Sequence, residues 1–195
     1  MKNMCAALEL KKIQQYAVDV TLDPDTAHPN LILSDDGKQV SHGDVKQNLP
    51  DNPERFFPST AVLGKQSFSS GKFYYEVQVK DKTDWTLGVV RGSINRKRII
   101  DPRPTNGFWT IRLRNRYMYS AHDRIYPEPK PQKLGVFVDY EKGLVSFYNV
   151  DAATLIYSFT GCKFMENLCL IFDPLTNDGS KDSMPLIISP VNHTD

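Results

Sequence analysis

Beyond residue 17 the chain reads as a succession of short alternating apolar runs, each closed by glycine, proline, asparagine or aspartate, with no helical run between them. KFYYEVQV (72–79) and WTLGVV (85–90) are dense in the aromatic and β-branched residues that fit a pleated, half-buried surface. LGVFVDY and LVSFYNV flank Glu141-Lys142-Gly143 and read as a hairpin with glycine at its bend. Val18 to Leu22, LILS (31–34), LIYSF (155–159), LCLIF (168–172) and PLIIS (185–189) complete the series. About a dozen strands at such close spacing predict an all-β fold, a sandwich of antiparallel sheets whose working surface lies in loops at one end.

One run carries a second message. In GFWTIRLRNRYMY (107–119), Trp109, Ile111 and Leu113 share one face of a strand, and Thr110, Arg112 and Arg114 share the other. Arg116 follows at a turn, Asn115-Arg116, before a partner strand from Tyr117 to Ala121. Between 91 and 116 lie Arg91, Arg96, Lys97, Arg98, Arg103, Arg112, Arg114 and Arg116 against the single acid Asp101. Such a cluster is either a solvated face, with arginine stems covering apolar surface, or a rim of planar donors for carboxylates and phosphates. Trp85 and Trp109 sit in strong strand patterns and are expected in the core. Of Phe56 and Phe57, in the proline-rich loop 50–58, one is expected buried and the other exposed.

Residues 1–17 differ from the rest. Ala6, Leu10, Ile13 and Ala17 form one apolar stripe at helical spacing, uninterrupted by glycine or proline. A single stripe on a short helix needs a surface to pack on, either the following domain or a longer upstream helix.

The formal net charge of +1 argues against wholesale nucleic-acid binding but leaves room for a local patch. No run approaches the roughly 20 apolar residues that span a bilayer, and early charge in MKNMCAALELKK is unlike a signal peptide. Cys5, Cys162 and Cys169 have no CxxC spacing, so reduced thiols in the cytoplasm are expected. The Asn192-His193-Thr194 glycosylation pattern is then without consequence. His28, His42, His122 and His193 stand in separate segments without metal-ligand spacing, and Gly64-Lys65-Gln66-Ser67 lacks the glycine spacing of a P-loop. No catalytic residue, metal or cofactor is expected.

Several long motifs resemble a known family in its usual order. DVTLDPDTAHPNLILSDDGKQV (19–40) and NLPDNPERF (48–56) resemble the PRY segment of PRY-SPRY (B30.2) domains. VLGKQSFSSGKFYYEVQV (62–79), WTLGVVRGSINRK (85–97), GFWTI (107–111) and LGVFVDYEKGLVSFYNV (134–150) resemble the SPRY portion. The likeness is greatest to the C-terminal domain of tripartite-motif (TRIM) ubiquitin ligases, then to butyrophilin intracellular domains. ELKKIQQYAVDV (9–20) is similar to the TRIM junction of coiled coil and PRY. The resemblance implies a bent sandwich of two antiparallel sheets with a short N-terminal helix. It divides the chain into a coiled-coil tail (1–17), PRY (18–66) and SPRY (67–195).

It also implies a non-enzymatic recognition module that directs a ligase to a target protein, in innate immunity or antiviral defence. A RING, with its eight Cys/His ligands, cannot be built from these residues, so ubiquitin transfer is expected from elsewhere in a parent protein. The isolated domain is expected to be a monomer and the parent a coiled-coil dimer. By family analogy the partner surface takes in Thr86, Arg112, Arg114, Arg116, Phe172, Asp173, Phe57 and Arg98, with Phe172 as an aromatic anchor ringed by cations. An acidic or acidic-aromatic epitope would suit it. Two alternatives are a butyrophilin-type pocket for a phosphorylated metabolite and an RNA-binding face with Tyr117 or Tyr119 stacking on bases. The low net charge weighs against RNA. Three departures from the family pattern, Tyr75 for tryptophan, Arg98 for glycine, and Cys169-Leu170-Ile171, are expected to fall largely at the partner surface.

Overall fold

The computed structural model describes residues 2–175 and 184–192, so His193 and Thr194 of the glycosylation pattern lie outside it. The elements in chain order are α1 (Lys2–Gln14), β1 (Leu31–Leu33), β2 (Gln39–His42), β3 (Val62–Phe68), β4 (Lys72–Gln78), β5 (Trp85–Arg91) and β6 (Phe108–Arg114). They continue with β7 (Tyr117–Ser120), β8 (Asp123–Ile125), β9 (Lys133–Asp139), β10 (Leu144–Asn149), β11 (Thr154–Phe159), β12 (Leu168–Asp173) and β13 (Leu186–Ser189). One sheet runs β1-β2-β13-β4-β9-β10-β11 and the other β3-β12-β5-β6-β7-β8. Neighbouring strands are antiparallel throughout. This is the expected two-sheet sandwich.

The period-two pattern explains the core. Trp85, Leu87 and Val89 of β5, Trp109 and Ile111 of β6, and Leu168, Leu170 and Phe172 of β12 point inward. They meet Phe73, Tyr75 and Val77 of β4 and the valines of β9, all buried. Both tryptophans are core residues as expected, and Phe164 meets the Trp109 ring edge-on at 4.9 Å. Each such buried side chain contributes about 2–3 kcal/mol of transfer free energy.

Helix α1 lies on the outer face of the seven-stranded sheet. Leu10 and Ile13 pack on Tyr74, Phe137 and Tyr148. Gln14 and the Tyr74 hydroxyl both donate to the buried carboxylate of Glu76, at 3.0 and 2.6 Å. The helix stops at Gln14, short of the expected residue 17, because strand-type bonding to β4 takes over: Tyr74 N–H donates to Tyr16 O, and Val18 N–H to Tyr74 O. Val18 to Leu22 forms no regular strand. It covers the outer edge of β3 through the Leu22–Gly64 bridge and the Lys65 N–H to Thr21 O bond.

A second, smaller apolar cluster sits on the outer face of the six-stranded sheet. Phe56, Leu63, Val90, Phe108 and Ile171 are buried there, closed over by Ile94 and Ile100. The covering loop 50–61 is braced by Arg55, itself buried, whose guanidinium donates to the carbonyls of Pro50, Pro24 and Ala27. The backbone N–H of Ile100 bonds Ser59, and Asp101 bonds His122 in the turn between β7 and β8. The cover therefore ties the loop before β3 to the far side of the sheet and hides one half of its outer face. The other half opens only towards β8: Thr86 and Asp173 are buried, Arg112, Arg114 and Tyr119 half-buried, and Arg124 exposed.

Candidate functional site

The open half is floored by one cross-strand row. Asp173 of β12 pairs with Thr86 of β5, Thr86 with Arg112 of β6, Arg112 with Tyr119 of β7, and Tyr119 with Arg124 of β8. Side chains directly opposite in antiparallel pairs lie within about 5 Å and share a face. A second row follows with Arg114 opposite Tyr117. The structure brings the candidates Thr86, Arg112, Arg114 and Asp173 together on one face. Whether they bind a partner is taken up below.

The arginine cluster separates into braces and donors. Arg91 donates to the carbonyls of Phe164 and Lys163 and stacks on Trp109. Arg96 donates to Glu54 and Gly92 carbonyls. Lys97 pairs with Asp51, and Arg103 with Asp101. For these four the solvated-face alternative gives way to a structural role, holding loops. Arg112 is different: its Nε is buried with no hydrogen-bond partner, and its guanidinium lies 5.7 Å from the Tyr119 ring. Arg114 is intermediate, bonding the Leu113 carbonyl at 2.9 Å and reaching Thr86 Oγ1 at 3.4 Å. Its burial lowers the guanidinium pKa, and the carboxylate of Asp173 acts in the opposite direction. Arg116 is exposed at a turn in which Asn115 and Arg116 both have positive φ, 47° and 73°. That backbone is the primed turn that suits a two-residue hairpin.

Phe172 requires a correction. It is fully buried on the inner face, tilted on the Tyr75 ring at 5.9 Å, because it neighbours Asp173 and parity sends the two side chains to opposite faces. It cannot be the aromatic anchor of the site. Phe57 is exposed, as one of the Phe56–Phe57 pair was expected to be, but it stacks on His28 under the Lys46 ammonium, in a cleft of the PRY segment. Arg98 is exposed on the connection between β5 and β6, lining a cleft with Ile99 and Asp101. Neither belongs to the Thr86–Arg112 row. Sequence reasoning missed Arg124 altogether, because β8 is only three residues long.

Asp173 is the buried acid of this floor. Thr60 Oγ1 donates to it at 2.9 Å and Leu175 N–H at 3.1 Å. Burial pushes its carboxyl up to about 6, with the Thr60 and Leu175 bonds and then Arg114 and Lys82 acting against the shift. With the folded value above the unfolded one of about 3.9, the native state holds more protons between those values, so stability falls as pH rises from about 4 to 6 and levels off above. The expected cost of ionisation at neutral pH is about 3 kcal/mol. Asp173→Asn should melt higher than the wild type at pH 7.5 and no higher at pH 4, read by thermal denaturation across that range. Equal differences at both pH values would show that Asp173 is not the titrating group.

Comparison with known proteins fixes the family. A profile described as "SPRY-associated domain" matches residues 20–68, and one described as "SPRY domain" matches residues 72–184. The chain is a PRY-SPRY domain. The human E3 ubiquitin-protein ligase TRIM68 is 43% identical over all of this domain and 41% of its own length. Human pyrin is 46% identical over 94% of the domain and 24% of its length. The E3 ubiquitin-protein ligase TRIM69 of Rattus norvegicus is 48% identical over 87% of the domain and 34% of its length. The PRY-SPRY domain thus spans less than half the length of each of these relatives. The crystal structure of the TRIM65 PSpry domain superposes with a TM-score of 0.79 at 24% identity, covering 93% of this chain and 95% of that one.

Contrary to expectation, all three departures from the family pattern lie outside the Thr86–Arg112 row. Tyr75 is a core residue whose hydroxyl donates to Gly88 O at 2.8 Å, so the aromatic is repacked with a hydrogen bond of its own. Leu170 belongs to the main core, and Cys169 and Ile171 to the covered cluster. Of the three, Arg98 alone is exposed.

Proposed function

We propose that this PRY-SPRY domain recognises a protein target through the open half of the six-stranded sheet, with an acidic or acidic-aromatic epitope meeting Arg112, Arg114 and Arg116. In the cytoplasm it would direct a TRIM-type ubiquitin ligase to that target, in innate immunity or antiviral defence; kinship with TRIM ligases and pyrin supports that setting. The observation that carries the reading is Arg112, a half-buried arginine whose Nε has no partner, set in a row that runs from buried Thr86 through Tyr119 to exposed Arg124. The rest of the guanidinium has no acceptor to give up among the described residues, so an acidic ligand would bond it without displacing a protein partner. Arginine and tyrosine are also the residue types that dominate interface energetics. Ubiquitin transfer would come from other parts of a longer protein. A coiled-coil dimer presenting two such domains would bind more tightly than the isolated domain by avidity.

Capture from nuclease-treated lysate with the wild type and with Arg112→Glu/Arg114→Glu tests the reading. A protein retained by the wild type after nuclease and lost with the variant is the expected result. Identical captured sets would move the search to loops 50–58 and 98–106.

A further inference from the structure

The open face does not end at Arg112. At its β7–β8 rim the Arg124 guanidinium lies 3.6 Å from the Tyr117 ring centroid and 4.9 Å from that of Tyr126. Tyr117 is 47% exposed and Tyr126 74% exposed, so two aromatic rings and the plane between them stand in solvent. Arg116 and Lys130 line the same shallow cleft, with Glu128 as its single carboxylate. Among the described residues none of these three cations has a carboxylate within ion-pair distance, unlike Lys38, Lys97 and Arg103 elsewhere.

We propose that this rim is a binding site for single-stranded RNA. Bases stack on aromatic rings and on arginine planes alike, and every base has such a face, so an alternating Tyr–Arg–Tyr array suits a flexible strand without a sequence code. Arg116 and Lys130 stand where they neutralise backbone phosphates. An acidic peptide would use the cations too; the stacked Tyr–Arg–Tyr array favours nucleic acid, and the oligoglutamate arm of the test separates the two. The net charge of +1 fits a local site and not a general polyanion surface. This site shares Arg116 with the target-binding surface proposed above and continues its row at Arg124, but Tyr126 and Lys130 lie outside that surface, so the two are separable at Tyr126.

The test is fluorescence anisotropy of the domain with a labelled mixed-sequence oligoribonucleotide of about 12 nucleotides, titrated between about 50 and 200 mM salt. The wild type should bind, more weakly as salt rises, and should bind a duplex of the same sequence at least about tenfold less tightly, because its bases are already stacked. Arg124→Lys, which keeps the charge and loses the plane, and Tyr126→Leu should each lower affinity about tenfold without changing the melting temperature. Three outcomes overturn the site: no binding at the lowest salt, variants that bind like the wild type, or an oligoglutamate peptide that binds as tightly as RNA with the same losses.

Discussion

Charge reversal at Arg112 alone is expected to weaken target binding by about tenfold or more, and reversal at both Arg112 and Arg114 by about 100-fold. The two arginines act differently. Arg112 is half-buried with an unpartnered Nε and forms no brace, so Arg112→Glu should leave the melting temperature close to wild type. Arg114 holds the Leu113 carbonyl and stands near the buried Asp173, so Arg114→Glu also sets two carboxylates against each other. The double variant should therefore melt lower as well as bind less. Affinity by titration calorimetry, with melting followed on the same samples, separates these effects. Arg112→Glu that melts like the wild type and binds like it would remove Arg112 from the interface.

Gly88→Ala is expected to be the most damaging single methyl in the domain. Gly88 lies at mid-strand in β5, between β6 and β12, with φ at 148°. A Cβ there would stand 2.3 Å from Trp109 O and 2.8 Å from Thr110 Cα, both backbone atoms of the neighbouring strand. Relief requires β5 and β6 to part, which also disturbs the Tyr75 hydroxyl bond to Gly88 O and the row through Thr86 and Arg112. The expected loss is about 4 kcal/mol, a large share of the stability of a domain this size. Gly71→Ala is the control: its φ is 76°, but nothing lies within 4 Å of the added carbon, so only backbone strain of about 1 kcal/mol is expected. Urea denaturation of the two variants checks the contrast; similar losses would mean that the close approach at Gly88 is not what matters.

Strand alternation was enough to read the sandwich, because alternate residues join one core: Phe73, Tyr75 and Val77 of β4 and Val145 and Phe147 of β10 face the inner cluster, while Tyr74 and Tyr148 pack under the helix. It failed where local pattern yields to tertiary bonding. Val18 to Leu22 alternates like a strand yet serves as cover for β3, and α1 ends early where β4 claims Tyr16 and Val18. The same alternation set Arg112 and Arg114 on one outer face and, applied to β12, would have sent Phe172 inward with Leu170; family analogy pulled it outward instead. The sorting of arginines into braces and donors was invisible in sequence, since Arg91 and Arg96 find their carbonyls 73 and 42 residues away. Arg124 was hidden because three residues carry too little periodicity to mark a strand.

The most direct test of the central claim is site-specific photocrosslinking to the captured target. A benzophenone amino acid replaces exposed Arg116, beside the arginine row, or exposed Leu155, on the edge strand of the opposite sheet. The account predicts crosslinks from position 116 and none from 155. Crosslinks from 155 with none from 116 would contradict it and move the recognition surface to the seven-stranded sheet.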